Sequence, residues 1–522
     1  MNQAPSKAEL SIENPPTTTL GILSRLGPGL IIAGSIVGSG ELIGTTITSA
    51  KAGFWLLWLI IIGCVIKVFV QVELGRDAIN RGKSTMDALS EVPGPSIKGR
   101  GNWLVWYWFL MWAAMTAQLG AIAEGVGQAM AISVPLTAEG REYNTHMDQW
   151  MKAKVNLALL KHRLTVAGED LLTHSEYQAK TREEAAFKIK SDNIATGNDV
   201  MIWTALLAIV TSVLLVVGRY RLIENVTTTL VAMFTLMTVA TVVALQWTKD
   251  WAIAGQDIAN GLSFRLPPGD TTTALSSALQ TFGLIGVGAS ELVAYPYWCL
   301  EKGYARYTGK TDSSPAWAGR ALGWMRVLRW DVWCSMIVYT TATLAFYLLG
   351  AAILGRSGLI PADSELIRTL NVMYEPVFGS WAKILFLGGA FAVLYSTFFV
   401  ASAGNARICA DALGVIGLAA RDPAAVRKRV VFLSGLFPIL SLLLLFLMPK
   451  QPQNLVFFSG AMQALMLPML AVAAIFFRYR RCDPRVVPGR FWDACLWITS
   501  AGMLIISVSV VVLKAMTQFG FK

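Results

Sequence analysis

Two carboxylates occupy matching positions in apolar stretches of the chain. Glu41 lies in the hexapeptide at 38–43 (Gly-Ser-Gly-Glu-Leu-Ile), and Glu291 lies in the hexapeptide at 288–293 (Gly-Ala-Ser-Glu-Leu-Val). Inserting a carboxylate at the depth of a bilayer costs roughly 2.5–3.5 kcal/mol, so such a residue indicates a functional site by default. The two hexapeptides therefore predict a repeated site inside a membrane.

The residues before each carboxylate are small and are poor helix formers. In a membrane, non-helical backbone persists only where it is buried in protein or lines a wet cavity. We therefore expect the helix to break at Gly38 and at Gly288, beside Glu41 and Glu291. Broken helices at corresponding positions of two halves are the best sequence indication of the substrate site of a transporter built from internal repeats.

The elements that position these residues are membrane spans. The 522 residues are 54% hydrophobic and only 15% charged, and the apolar runs are long enough to cross about 30 Å of hydrocarbon. This pattern predicts a polytopic all-α membrane protein. The eleven candidate spans lie near 24–52, 54–75, 103–134, 200–217, 226–247, 273–300, 330–354, 381–411, 430–448, 454–477 and 490–516.

The distribution of Lys and Arg predicts the orientation of the chain. Loops rich in these residues stay in the cytoplasm, and they lie at 76–100, 219–221, 302–329, 407–429 and 478–490. We therefore expect a cytoplasmic amino terminus, with residues 1–19 as a disordered tail, and an extracytoplasmic carboxyl terminus in the cell membrane. Because the basic residues are spread over every inner loop, the net charge of +11 is a topology signal and does not indicate a nucleic-acid partner.

The spans fall into three blocks along the chain. Spans 1–3 occupy 20–136, a charged segment at 137–198 interrupts the series, and spans 4–11 occupy 199–522. The interrupting segment has the pattern of two or three amphipathic helices, and we expect it outside the cell. It contains the three histidines, on no shared helical face, and the six cysteines form no C-x-x-C pair. The sequence thus predicts no resident metal or other cofactor.

Because five spans precede the second hexapeptide, that copy enters the membrane from the side opposite to the first. This arrangement is the topology of an inverted repeat. We also expect the chain to act as a monomer.

Several short motifs resemble the Nramp family of divalent-metal transporters. They are Gly-Pro-Gly at 27–29, Ala-Gly-Phe-Trp-Leu-Leu-Trp at 52–58, Ala-Glu-Gly-Val-Gly at 123–127 and Leu-Pro at 467–468. The resemblance covers nearly all of the chain outside the insertion and the amino-terminal tail. It implies a LeuT-type fold, with spans 1–5 and 6–10 as the inverted repeats of five helices and an eleventh span appended.

The chain departs from the family where the metal ligands lie. The family's Asp-Pro-Gly-Asn falls on 38–41, and its Ala-x-x-Met-Pro-His falls on 288–293, where neither Met nor His is present. Glu41 and Glu291, with Gly38 and Gly288 leaving room, would form an all-oxygen site. Such a site suits Mg²⁺, which keeps its waters and binds one or two carboxylates. The chain thus resembles a distant, magnesium-transporting branch of the family.

Three further residues are candidates for the ion pathway. Glu124 matches the family's third-span glutamate, but its acidic neighbour one turn earlier is replaced by Ala121. Lys67, deep in span 2, either pairs with Glu124 or has a structural role, and Gln463 lies one turn from the family's tenth-span glutamine, which falls at Gly460. With no histidine in any span, the sequence predicts weak or no proton coupling.

We therefore expect an importer of divalent cations, Mg²⁺ and Mn²⁺, that works by alternating access. A transporter of an organic solute on the same fold is the alternative, although two glutamates would repel an organic anion. A third hypothesis is a sensor that transports nothing. The sequence contains no nucleophile beside a base and no phosphate-binding loop, so it does not indicate an enzyme.

Overall fold

The computed structural model describes residues 12–171, 173–217, 220–248, 250–269, 271–362, 365–447 and 452–519. Helices form nearly all the regular structure of this part of the chain, and one isolated β-bridge joins Ser96 to Asn102. Within the same part, nine helices are long and apolar enough to cross a membrane. The prediction of an all-α polytopic protein is confirmed.

The predicted spans correspond to helices along the whole chain. Span 2 is Leu57–Val65 and Val68–Arg81, span 3 is Trp103–Ser133, span 4 is Asp199–Val217, span 5 is Tyr220–Leu245, span 7 is Pro315–Leu349, span 8 is Ala382–Val415, span 9 is Pro423–Leu447, span 10 is Pro452–Phe476 and span 11 is Arg490–Phe519. The largest boundary error is at span 7. Its helix begins at Pro315, fifteen residues before the predicted start at 330, because Ser314 caps it and Pro315 suits its first turn.

Spans 1 and 6 are broken. Half-helix 1a runs over Pro28–Ile36, and half-helix 1b begins as a π-helix over Ser39–Thr45 and continues as an α-helix over Thr46–Ala52. Half-helix 6a runs over Thr271–Phe282 and half-helix 6b over Ala289–Lys302. Each break coincides with the small residues that precede Glu41 or Glu291, as their poor helix propensity predicts.

The spans pack into two groups. Half-helices 1a and 6b contact each other, and spans 2 and 7 pack against them. Spans 3, 4, 8 and 9 form the second group, and span 10 lies between span 3 and half-helix 6a. The breaks in spans 1 and 6 therefore lie in the interior, where backbone that is not helical can be satisfied by protein groups.

Asp331 of span 7 fixes the start of half-helix 1a. Its carboxylate accepts hydrogen bonds from the backbone N–H of Gly27 (2.9 Å) and of Gly29 (2.6 Å), and from the Tyr295 hydroxyl of half-helix 6b (2.9 Å). The amino end of a helix carries partial positive charge and unpaired N–H groups, so a carboxylate stabilises it. Asp331 thereby ties three spans together.

The insertion forms two helices, Ala138–Ala167 and Ser175–Asp192, that pack on one another. The first helix docks onto residues that lead into span 8. Asp148 accepts from both Arg368 and Lys383, and Lys154 pairs with Glu365 at 2.7 Å.

The amino-terminal segment corrects one expectation. Residues 1–11 of the predicted disordered tail lie outside the described residues, but Glu13 and Pro15 lie against span 7. Glu13 pairs with Arg25 at 2.8 Å, and its carbonyl accepts from the Trp324 indole at 3.1 Å. Thr18 then caps a short helix over Thr19–Leu23. Specific hydrogen bonds thus give a defined structure to a stretch that was predicted from its composition to be disordered.

Replacing Asp331 by Ala should destabilise the protein. Gly27, Gly29 and Tyr295 would each lose a buried charged acceptor, and one such hydrogen bond contributes about 1.5–3 kcal/mol. We expect a clear fall in the thermal unfolding midpoint of the detergent-solubilised protein. The exposed Asp192, at the end of the second insertion helix, provides the control, and Asp192→Ala should leave the midpoint unchanged. Equal midpoints for the two variants would contradict the role of Asp331.

Candidate functional site

Glu291 lies in the first turn of half-helix 6b, directly after the break. One carboxylate oxygen, Oε1, accepts from the Ser35 hydroxyl of half-helix 1a at 3.1 Å, and the other, Oε2, lies 2.5 Å from the Ser290 hydroxyl. Ser290 also lies 2.9 Å from the amide oxygen of Gln463 in span 10. Glu291 therefore joins both broken spans and, through Ser290, span 10.

A small cavity of about 30 Å³ surrounds this carboxylate, with room for one or two water-sized particles. Its polar lining comes from both breaks and from spans 3, 8 and 10, and consists of Ser35, Ser39, Gln118, Ser290, Glu291, Thr397 and Gln463. The remaining lining is mostly apolar and includes Met115 of span 3. The polar groups are hydroxyl, amide and carboxylate, which are suited to holding a small hydrated cation.

A second cavity, of about 20 Å³, shares Ser35, Met115, Ser290 and Glu291 with the first. It continues past Trp298 of half-helix 6b and Asn405 of span 8. Both elements end in basic loops, so the second cavity extends from Glu291 toward the side predicted to be cytoplasmic.

Glu41 is fully buried in the π-helical turn of half-helix 1b. Its carboxylate accepts from the Thr343 hydroxyl of span 7 at 3.1 Å and from the backbone N–H of Gly38 at 3.4 Å. The described residues that line the two cavities include Glu291 but not Glu41. Glu41 is close enough to Glu291 for the two carboxyl groups to interact electrostatically, although it does not line the cavity.

Gly38 and Gly288 occupy positions with no room for a side chain. A Cβ on Gly38 would overlap Thr397, and a Cβ on Gly288 would lie 2.5 Å from Glu291 Oε2 and 2.8 Å from Gln463 Oε1. The glycines thus bring the backbone of both breaks close to polar groups of the candidate site.

Gln463 and Gln118 link the cavity to spans 10 and 3. The Gln463 amide nitrogen lies 3.4 Å from Gln118 Oε1, and Gln118 donates to the Ser39 hydroxyl at 2.9 Å. Gly460, where the family's glutamine falls, packs against the backbone of half-helix 6a instead, since a Cβ there would meet the Gln280 carbonyl. Gln463 is therefore the span-10 glutamine that faces the cavity.

Sequence reasoning did not single out Ser35, Gln118, Met115 or Thr343. Ser35 and Gln118 are polar residues within apolar spans, which is a usable signal, whereas Met115 looks like any core residue. Met115 also qualifies the expectation of an all-oxygen site, because a thioether-bearing side chain lines the cavity beside Glu291.

Lys67 and Glu124 lie in different parts of the molecule. The Lys67 ammonium donates to the backbone carbonyls of Phe282 and Ile285, at 2.7 Å for the latter, in the break of span 6. Glu124 lines a separate cavity of about 280 Å³, beneath the insertion, together with Asp199 and Arg368. The hydrogen bonds of Lys67 thus favour the structural alternative over pairing with Glu124.

Comparisons with known proteins identify the family. The profile of the family described as Nramp, natural resistance-associated macrophage protein-like, matches residues 183–513, more than half of the chain. The chain belongs to the Nramp family. The matched region of this Nramp protein begins in the insertion and contains the second hexapeptide, whereas the first lies outside it. A comparison with curated proteins gave no match.

Solved structures extend the likeness over the whole chain. The manganese transporter of Eremococcus coleocola, in complex with an aromatic bis-isothiourea substituted compound, superposes with a TM-score of 0.58 at 15% sequence identity. The alignment covers 100% of this chain and 93% of that one. A histidine-to-alanine mutant of the same transporter gives a TM-score of 0.57 at 15% identity, over 98% and 91% of the two chains. The predicted LeuT-type fold is thereby confirmed.

Substituting Gly288 tests the geometry of the site. Overpacking costs about 1–3 kcal/mol, so we expect Gly288→Ala to weaken divalent-cation binding by about tenfold or more, measured by calorimetry on the solubilised protein with Mn²⁺ as the probe. Gly388→Ala in span 8 is the control, because no other described atom lies within 4 Å of the added Cβ. Unchanged Mn²⁺ affinity in Gly288→Ala would show that this break does not border the metal.

Proposed function

We propose that this Nramp protein imports divalent metal cations, with Mg²⁺ and Mn²⁺ as its substrates, by alternating access. Family membership supports a divalent-metal transporter, and the observation that carries the proposal is the setting of Glu291. Its carboxylate lies where both broken half-helices meet, next to hydroxyl and amide groups, in a cavity of ionic dimensions. In the proposal Glu291 is the main ligand, Glu41 lies behind it in half-helix 1b, and Gly38 and Gly288 let the broken backbone approach the polar groups of the site.

The size of the cavity favours an ion over an organic solute. A volume of about 30 Å³ accommodates one or two water-sized particles, whereas small-molecule sites are roughly ten times larger or more. An organic anion would also meet the charges of Glu291 and Glu41.

The chemistry of the lining supports Mg²⁺ and Mn²⁺ together. Carboxylate, amide and hydroxyl oxygens suit hard cations, and Mg²⁺ commonly retains several waters that such groups can hydrogen-bond. Met115 contributes a softer group, which favours Mn²⁺ over Mg²⁺. We therefore expect the site to select Mg²⁺ over Mn²⁺ less strongly than the two hexapeptides alone predict.

We further propose that transport is weakly coupled or uncoupled to protons. A proton path needs ionisable groups at relay spacing, and Ala121 and Gly38 replace two acidic positions of the family. A membrane potential of about 100 mV contributes roughly 2.3 kcal/mol per charge, and twice that for a dication. The potential alone could therefore drive uptake.

The proposal includes a multi-pass monomer in the cell membrane, with a cytoplasmic amino terminus and an extracytoplasmic carboxyl terminus. The basic loops support this orientation. Neither a nucleic acid nor a cofactor is part of the mechanism, and the chain is not an enzyme.

Substitutions of Glu291 test the site in proteoliposomes. Glu291→Gln should lower the uptake of Mg²⁺, Mn²⁺ and Ca²⁺ alike, by about tenfold or more, because it removes a charged contact to the ion. Glu291→Met adds a thioether and should lower Mg²⁺ uptake more than Mn²⁺ or Cd²⁺ uptake. Glu139→Gln, on the exposed face of the insertion, is the control. An unaltered ranking of ions in Glu291→Met would show that Glu291 does not set selectivity.

Proton coupling is tested with a pH dye inside the liposomes. With the potential clamped, an inward Mg²⁺ gradient should give Mg²⁺ entry without internal acidification, and Glu124→Gln should not change the dye signal. A proton ionophore added at the end verifies that the dye responds. Acidification that follows Mg²⁺ entry and disappears in Glu124→Gln would overturn the proposal and restore proton coupling.

A further inference from the structure

Lys67 is a fully buried lysine with a defined cradle. Its ammonium donates to the carbonyl oxygens of Phe282 and Ile285 and lies over the Phe282 ring, 4.5 Å from the ring centroid. Carbonyl dipoles and an aromatic face are both groups that attract a cation. These three groups form a cation site at the carboxyl end of half-helix 6a.

Close packing of spans 2 and 6 lets Lys67 reach this site. Gly286 has φ of +59°, a conformation that favours glycine, and a Cβ there would lie 2.8 Å from the Cα of Cys64. Gly63 likewise leaves space, since its Cβ would lie 2.9 Å from the Ile285 side chain. The backbone of span 2 therefore lies directly against the break of span 6, and Lys67 projects into it.

In transporters with broken helices, the position that this ammonium occupies is typical of a coupling-ion site. Unwound backbone carbonyls and the carboxyl ends of half-helices are the groups that hold a coupling Na⁺ or H⁺ in such proteins. Glu291 and Glu41 lie within electrostatic range of Lys67, so Lys67 acts on the same carboxyl groups that a coupling ion would affect.

We propose that Lys67 is a tethered monovalent cation, which fills permanently a site where a dissociable ion would otherwise bind. An ion that binds and leaves in each cycle couples its own gradient to transport, whereas a side chain cannot leave. The inference rests on the proposed dication transport and explains how that transport proceeds without a monovalent coupling ion.

The test compares wild-type protein with Lys67→Ala and Lys67→Gln in proteoliposomes. Wild-type Mn²⁺ uptake should be equal in choline, Na⁺ and ammonium buffers. In choline, both variants should lose at least about tenfold in rate, the factor expected for one charged hydrogen bond. In Lys67→Ala, Na⁺ or ammonium should restore uptake in a saturable way, and labelled Na⁺ should enter with Mn²⁺.

Lys51→Met is the matched control. Lys51 donates to the Ser277 hydroxyl within half-helix 6a at 3.0 Å, whereas Lys67 donates to the carbonyls at the end of that half-helix. This variant should show no dependence on monovalent cations. Gel filtration and the thermal midpoint establish that each variant is folded.

Two results would overturn the inference. One is Na⁺-dependent uptake by the wild-type protein, which is informative even if no Lys67 variant folds. The other is a folded Lys67→Ala whose uptake is the same in choline, Na⁺ and ammonium, as expected for a lysine that only caps a helix. By contrast, a wild-type protein that transports no dication would refute the proposed function itself.

Discussion

A helix that breaks inside a membrane exposes backbone N–H and C=O groups that lipid cannot hydrogen-bond, and this constraint shapes the protein. Each break in spans 1 and 6 therefore needs partners from neighbouring spans. Lys67 donates to the carboxyl end of half-helix 6a at the break of span 6. Asp331 accepts at the amino end of half-helix 1a, where span 1 begins. At the carboxyl end of half-helix 1a, Ser396 and Thr397 donate to the Gly34 carbonyl.

The two charged caps have opposite signs, and each lies at the helix end that stabilises it. A carboxylate is favoured at an amino end and an ammonium at a carboxyl end, because the aligned peptide dipoles place partial charge there. Asp331 and Lys67 are thus largely compensated by the backbone they cap. Glu291 lies in the first turn of half-helix 6b, where the Ser35 and Ser290 hydroxyls are its hydrogen-bond partners, and it also lines the cavity. Of the two matched carboxyl groups, it is the one that lines a cavity in the described residues.

The sequence predicted the breaks and the carboxylates because both signals are local. Small residues lower the helix propensity of an apolar run in any fold. A glutamate in such a run is costly to place in a membrane and therefore indicates a functional site. The partners of these residues could not be predicted in the same way. Thr343 and Gln118 contact the residues of the first break from spans that are distant in sequence, and their spacing carries no periodic signal.

The directions in which the Glu41 and Glu291 side chains point could also not be predicted from the sequence. The hexapeptides make Glu41 and Glu291 equivalent, yet Thr343 of span 7 holds Glu41 whereas Glu291 lines the cavity. The π-helical turn at Ser39–Thr45 contributes to this difference, because it changes the rotation per residue on one side of the pseudo-symmetric pair. The repeated motif thus predicts where the two carboxylates lie in the sequence, but the packing around each one determines which of them faces the cavity.

The same contacts divide the four half-helices into two pairs. Half-helices 1a and 6b are joined through Asp331 with Tyr295 and through Ser35 with Glu291. Half-helices 1b and 6a are joined through Thr48 with Thr281 at 2.8 Å and through Lys51 with Ser277. Under the proposed alternating access, each pair moves as a unit, and the backbone at the two breaks absorbs the change in angle. Because Glu291 lies at the junction of the two pairs, an ion bound there is exposed to one side or the other as the pairs move.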